Sequence, residues 1–337
     1  MMKLKKIVIG FFLIIGIVGI FFLVKELNKP LEVKSPIAKE KPLDKYTFAN
    51  QKNTKFPASS IRLGGLMTER SNYISQMFYY TVFGKKVSGL LNAPTQTGTY
   101  PVIVMLRGFV DKKIYEPGIG TKRAGEVFAQ NGYITLAPDF LGYGESSDPS
   151  KDSIEERFQT YTATLSLLSS LENLNVGIDA SYSGRIKADT SKVGIWGHSN
   201  GGQIALSILE ITGKNYPTVL WAPVSKPFPY SIFFFMDEFE DHGKSLRKVV
   251  ADFESDYDIE LYSPSNFYSL INAPIEIHQG TEDDAVPKKW SDQLVEDLEK
   301  LGKDIEYFVY PGADHNLLPD GWSVAVQRSL DFYREHL

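Results

Sequence analysis

From residue 101 onward the chain keeps one rhythm. Short, uniformly apolar runs alternate with stretches of helical periodicity: VIVML (102–106), YITLAP (133–138), VGIWG (193–197), TVLWAP (218–223), PIEIH (274–278) and IEYFVY (305–310). A strand that is apolar at every position has both faces covered, and strands that alternate with helices pair in parallel. The expected fold class is therefore α/β, with a mostly parallel central sheet and helices on both faces. The helical stretches are 122–131, 153–174, 201–212, 288–301 and 321–336, and Ser153 with Glu156 forms a capping box for the longest. Ahead of them, 61–66, 74–83 and 86–92 read as strands, the last two turning at Gly84.

One connection breaks the rhythm. Residues 224–273 separate two strands by about twice the length a crossover needs. The segment holds five phenylalanines (Phe228, Phe233, Phe234, Phe235 and Phe239) and an acidic run of Asp237, Glu238, Glu240 and Asp241. Insertions of this length in α/β domains serve as lids or binding walls. The phenylalanines read first as lid packing, and the acids first as a solvated face.

The N-terminus differs from the rest. Residues 7–24 (IVIGFFLIIGIVGIFFLV) carry no charge, follow Lys3, Lys5 and Lys6, and precede Lys25 and Glu26. As a helix they would span roughly 27 Å, the short end of a membrane crossing. No small-residue cleavage site follows, so an uncleaved signal-anchor is expected over 1–26, in contact with the lipid bilayer. The lysines would keep the N-terminus cytoplasmic and send the body outside. Residues 27–59, rich in Lys and Pro, read as a linker, and 60–337 as the folded domain with its insertion at 224–273. Residues 1–30 hold five lysines against one glutamate, so the remainder is more acidic than the chain's net −5. An acidic body argues against sequence-independent nucleic-acid binding.

Composition narrows the chemistry. The 337 residues include no cysteine and five histidines, His198, His242, His278, His315 and His336. Disulfides, thiol nucleophiles and thiolate-ligated metals are excluded. No H-E-x-x-H occurs, and Gly118-Ile119-Gly120 and Gly142-Tyr143-Gly144 lack the rest of a dinucleotide or phosphate-loop spacing. No cofactor and no metal are expected.

Gly197-His198-Ser199-Asn200-Gly201 fits G-x-S-x-G, with an apolar strand running into it and a helix leaving it. That context presents a serine Oγ above the sheet edge on a strained turn. A serine hydroxyl needs a base, and the base an orienting carboxylate, each on a loop after a later strand. His315 follows the last strand in Pro311-Gly312-Ala313-Asp314-His315 and is the expected base. Glu282, Asp283 and Asp284, after the preceding strand, compete for the acid, and position alone leaves all three open. The oxyanion donors are expected to be the backbone N–H of Asn200 and that of Phe109, which follows Arg107-Gly108 after the first core strand.

Taken together, KVSGLLNAP, PVIVMLRGF, GYITLAPDFLGYGESS, KVGIWGHSNGGQIAL, SPSNFYSLINAPIEIHQGTEDDAVP and VYPGADHNL resemble the α/β-hydrolase superfamily. More narrowly they resemble the catalytic domain of the prolyl oligopeptidase family, over about residues 74–337. The resemblance implies that the family's G-x-x-D-x-x-V-P loop falls on Gly280, Asp283, Val286 and Pro287, which selects Asp283. It also implies that the G-x-x-H position falls on Gly312 and His315. Two features depart from the family: its usual H-G is Arg107-Gly108 here, and residues 60–100 leave room for a few strands but not for a β-propeller.

The expected function is a membrane-anchored, extracytoplasmic serine hydrolase with a Ser199-Asp283-His315 triad. A peptidase acting on short peptides comes first, and a carboxylesterase acting on small acyl or aryl esters second. A non-enzymatic binding protein on the same scaffold comes third. Arg107, Phe233, Phe235 and Glu238 are the candidate substrate contacts. The acidic run would draw a free amine, and the phenylalanines an acyl or aryl group.

Overall fold

The computed structural model describes residues 40–236 and 240–337, together with Lys25. Residues 1–24, which include the apolar segment 7–24, and residues 26–39 lie outside the described residues, as do Asp237, Glu238 and Phe239. The compact unit Pro42–Leu337 holds every element described here. Among the described residues no helix is long and apolar enough to cross a membrane.

Among the described residues nine strands form one sheet: β1 (Arg62–Glu69), β2 (Tyr73–Val82), β3 (Lys85–Pro94), β4 (Gly98–Leu106), β5 (Ile134–Pro138), β6 (Ile186–His198), β7 (Thr218–Trp221), β8 (Ile275–Gly280) and β9 (Ile305–Tyr310). Their order is β1-β2-β3-β5-β4-β6-β7-β8-β9. The first three pair antiparallel, β3 runs antiparallel to β5, and every pairing from β5 to β9 is parallel. The β2–β3 hairpin turns through Phe83 and Gly84, both at positive φ, as a two-residue turn that matches strand twist requires.

The α-helices are α1 (Phe48–Asn53), α2 (Lys122–Gln130), α3 (Ser153–Ser170), α4 (Leu174–Tyr182), α5 (Asn200–Thr212), α6 (Tyr230–Phe233), α7 (Lys244–Asp256), α8 (Lys288–Lys300) and α9 (Gly321–His336). The period-2 alternation of a strand sorts their contacts. In β4, Val102, Val104 and Leu106 join the larger core, with Ile204 and Leu206 of α5, Phe158 of α3 and Leu294 of α8. Ile103 and Met105 point the other way, into a core shared with Phe128 of α2 and Ala325, Leu330 and Tyr333 of α9. Both faces are covered, so the apolar strands need no polar side.

Four local features differ from the expectations. The cap of α3 is Asp152, whose carboxylate accepts from the N–H groups of Ile154 and Glu155, so the Ser153–Glu156 box does not form. The stretch 153–174 breaks through a 3₁₀ turn at Leu171–Asn173 into the separate helix α4. Strand β6 begins at Ile186, well ahead of its apolar half. Within 27–59, expected as linker, Asp44–Tyr46 form a 3₁₀ turn and Phe48–Asn53 the helix α1, and Tyr46 and Phe48 are buried in the larger core.

The insertion 224–273 is anchored. Phe228, Phe253 and Tyr262 pack with Phe158 of α3, at centroid separations of 5.2–6.1 Å. Phe235 packs with Val224, Val286 and Trp290, which ties the insertion to the loop after β8.

Candidate active site

Strand β6 delivers Ser199 to the carboxyl edge of the sheet, and α5 leaves at once. Ser199 adopts φ 57°, ψ −123°, a left-handed backbone that a non-glycine residue holds only when its surroundings fix it. Three backbone bonds do so. The N–H of Ser199 donates to Trp221 O (3.0 Å), and its carbonyl accepts from Gly202 N (2.9 Å) and Val224 N (3.0 Å). Any side chain on Gly201 would drive into the carbonyl of Leu106, so the second motif glycine is a packing requirement between α5 and β4. Gly108 faces the nucleophile: a Cβ there would sit 3.2 Å from Ser199 Oγ, so its hydrogen keeps the space above the hydroxyl open. The Ser199 hydroxyl has no hydrogen-bond partner among the described residues and is partly exposed.

The acid and base candidates come from adjacent strands. β8 and β9 pair in parallel up to Gly280 and Tyr310, so the loops that follow start side by side. His315 Nδ1 lies 2.9 Å from Asp283 Oδ2. Asp283 also accepts from Gln279 Nε2 (3.0 Å) and from the N–H groups of Ala285 (3.0 Å) and Val286 (2.7 Å). Burial alone would raise its pKa, but the His315 contact, the Val286 N–H and Gln279 outweigh it and hold the carboxyl below its usual 3.8. The competitors Glu282 and Asp284 are exposed, whereas the Asp283 side chain is fully buried. Among the three, only Asp283 meets the base.

His198, the residue before the nucleophile in the motif, contacts the base loop. Its Nε2 lies 2.9 Å from the carbonyl oxygen of His315, and the two ring centres are 4.6 Å apart with the rings tilted by 33°. Burial, followed by the neighbouring His315, lowers its pKa from 6.5 to about 4, so the ring is neutral near pH 7. The motif gave His198 an address but not this partner, because the contact joins residues far apart in sequence.

The N–H groups of Phe109 and Asn200 make no backbone hydrogen bond among the described residues outside the helix that Asn200 begins. The Phe109 side chain is 78% exposed at the site's mouth. Arg107 is buried instead of facing the cleft. Its Nη1 donates to Gly108 O (2.9 Å), its Nη2 to Asp139 O (2.8 Å), and the guanidinium lies 4.0 Å from the Tyr143 ring centre and 4.8 Å from that of Tyr115. The expectation of a substrate contact is corrected here: the cation holds the loop that carries Phe109. Of the insertion residues, Phe235 reaches the loop after β8, Phe233 packs on the larger core, and Glu238 lies outside the described residues. Among the described residues no cluster of three or more His, Asp or Glu could hold a metal ion.

A strained serine between a strand and a helix, with a histidine–aspartate pair on the loops after two later strands, defines the α/β-hydrolase class. Solved structures agree in fold. Acetyl Xylan Esterase 1 from Thermoanaerobacterium sp. JW/SL YS485 superposes with TM-score 0.58 at 16% identity, covering 86% of this chain and 93% of that one. A puromycin-hydrolyzing peptidase of Mycobacterium tuberculosis gives 0.54 at 17% identity, covering 80% and 40%. The profile of the prolyl oligopeptidase family matches residues 122–337, and the chain belongs to that family as a serine hydrolase. It is 25% identical over 245 residues to "Uncharacterized peptidase YtmA" of Bacillus subtilis (strain 168), spanning 71% of this chain and 85% of the relative.

Proposed function

We propose that Ser199, His315 and Asp283 form the catalytic triad of a peptidase that cleaves short peptides. The observation that carries this reading is the 2.9 Å contact between His315 and a buried Asp283, on a base loop whose His315 carbonyl meets His198, the residue before Ser199. His315, oriented through Nδ1, takes the Ser199 proton on Nε2 as Oγ attacks the scissile carbonyl. The backbone N–H groups of Phe109 and Asn200 receive the developing oxyanion, and Asp283 stabilises the imidazolium. His315 then returns the proton to the leaving amine, and water releases the acyl group by the same route. The family match and the YtmA likeness support the choice of an amide bond. The N-terminal segment 7–24 would anchor this domain on the outer side of a membrane, with 1–26 as the anchor.

Ester cleavage is the second reading. It is favoured by the aromatic wall of Phe235 and Trp290 beside Val286, which would accommodate an acyl or aryl group. The purified full chain, assayed on aminoacyl and prolyl p-nitroanilides alongside p-nitrophenyl acyl esters, separates the two. Turnover of the anilides supports the peptidase, and turnover confined to esters rejects it. Ser199→Ala is expected to lose labelling by a fluorophosphonate probe and on the order of 10⁶ in turnover.

A further inference from the structure

On α3, three charged residues follow in succession. Glu155 pairs with Lys45 at 2.7 Å and Glu156 with Lys112 at 2.9 Å. Arg157 pairs with no carboxylate among the described residues. Its Nη2 donates to Gln203 Oε1 (2.5 Å) and Asn200 Oδ1 (3.3 Å), both in the first turn of α5, directly after Ser199. The Nε and Nη1 donors have no partner among the described residues, yet neither is among the buried unpartnered atoms, so they meet solvent-accessible space. The residue is half-buried, and burial draws its pKa below the usual guanidinium range.

A partly desolvated cation without a counter-ion is costly unless something supplies one. Gln203 is committed on its other side: its Nε2 faces Lys226 O and Ser231 Oγ of the insertion, so its oxygen is kept toward Arg157. The guanidinium is thus aimed by its neighbours and retains donors for a ligand. In the triad reading His315, on the loop after β9 and paired with Asp283, would protonate the leaving group. Arg157 reaches Asn200 from α3, apart from the base loop, so a group held beside it would belong to the acyl part of a substrate. The body of the chain is acidic, so its long-range field does not attract anions and a local cation is needed to hold one.

We propose, resting on the Ser199 reading above, that Arg157 is a specificity residue that receives a carboxylate carried on the acyl side of the substrate. A carboxylate matches the fork of unpartnered N–H donors, which a lysine ammonium would not reproduce.

The test uses the full-length chain and two esters matched in length, mono-p-nitrophenyl glutarate and p-nitrophenyl valerate, each corrected for spontaneous hydrolysis. In Arg157→Met the ratio of kcat/KM for glutarate over valerate is expected to fall on the order of 10- to 100-fold, chiefly through KM. Arg157→Lys should restore part of that ratio. An unchanged ratio, or rates for both esters that fall in parallel, would overturn the proposal by making Arg157 a brace for α5 alone. Wild-type inertness to both esters and to the p-nitroanilides would instead reject the Ser199 reading, and this assignment with it.

Discussion

His198 Nε2 meets the backbone carbonyl of His315 at 2.9 Å, so this nitrogen carries the proton and one histidine fixes the main chain of the other. The contact acts on the loop and leaves the His315 ring to Asp283. His198→Ala should therefore lower kcat with little change in KM, because the base loses its support while the cleft keeps its walls.

The same residue has a pH signature. Its folded pKa is depressed to about 4 from 6.5, so the unfolded chain binds a proton first as pH falls. Stability is full above about pH 6.5 and declines between 6.5 and 4, by on the order of 3 kcal/mol if the whole shift is realised. His198→Gln, followed by thermal melts across that window, should flatten this decline. An equally steep slope in the variant would assign it to other groups.

Arg107 holds two carbonyls and lies against two tyrosine rings. Arg107→Ala should cost about 2–3 kcal/mol in denaturant melts, since buried acceptors lose a charged donor. Activity should fall on the order of 10–100-fold as the Phe109 loop loosens, less than for outright removal of an oxyanion donor. Arg107→Lys should rescue neither fully, because a point charge cannot bridge both carbonyls.

Glu210 on α5 is fully buried, and neither carboxyl oxygen has a partner among the described residues. Burial pushes its pKa well above 4.5, so the folded state holds the proton more tightly than the unfolded chain. At low pH this group adds no cost of holding off ionisation, and it destabilises increasingly as pH rises above 4.5. Glu210→Gln should raise the melting temperature at neutral pH, by about 1–3 kcal/mol in stability, and have little effect near pH 4. A lower melting temperature at pH 7 would show that the charge is satisfied in the fold.

The core strands were legible because burial on both faces leaves a continuous apolar run, and 321–336 was legible because its periodicity is uninterrupted. The polar start of β6 was not, since Ile186 to Asp189 pair with Gly98 to Pro101 through the backbone, which sequence does not mark. The α3 cap was ambiguous between neighbouring Asp152 and Ser153, and geometry chose the carboxylate. The elbow was readable from spacing plus context. Choosing Asp283 from three consecutive acids needed burial or a family pattern. The contacts of Arg107 with Asp139, and of Arg157 with Asn200, join distant segments and carry no local pattern.

The order of the strands also sets an order of failure. β9, which ends just ahead of His315, is one of the two edge strands of the sheet, and most of its residues are only partly covered. Ser199 hangs from β6, well inside. Heating should fray the edge before the interior, so the proton shuttle would leave its post while the nucleophile still stood in place. Loss of activity should then run ahead of the global melt, and an inactivated molecule should be largely folded.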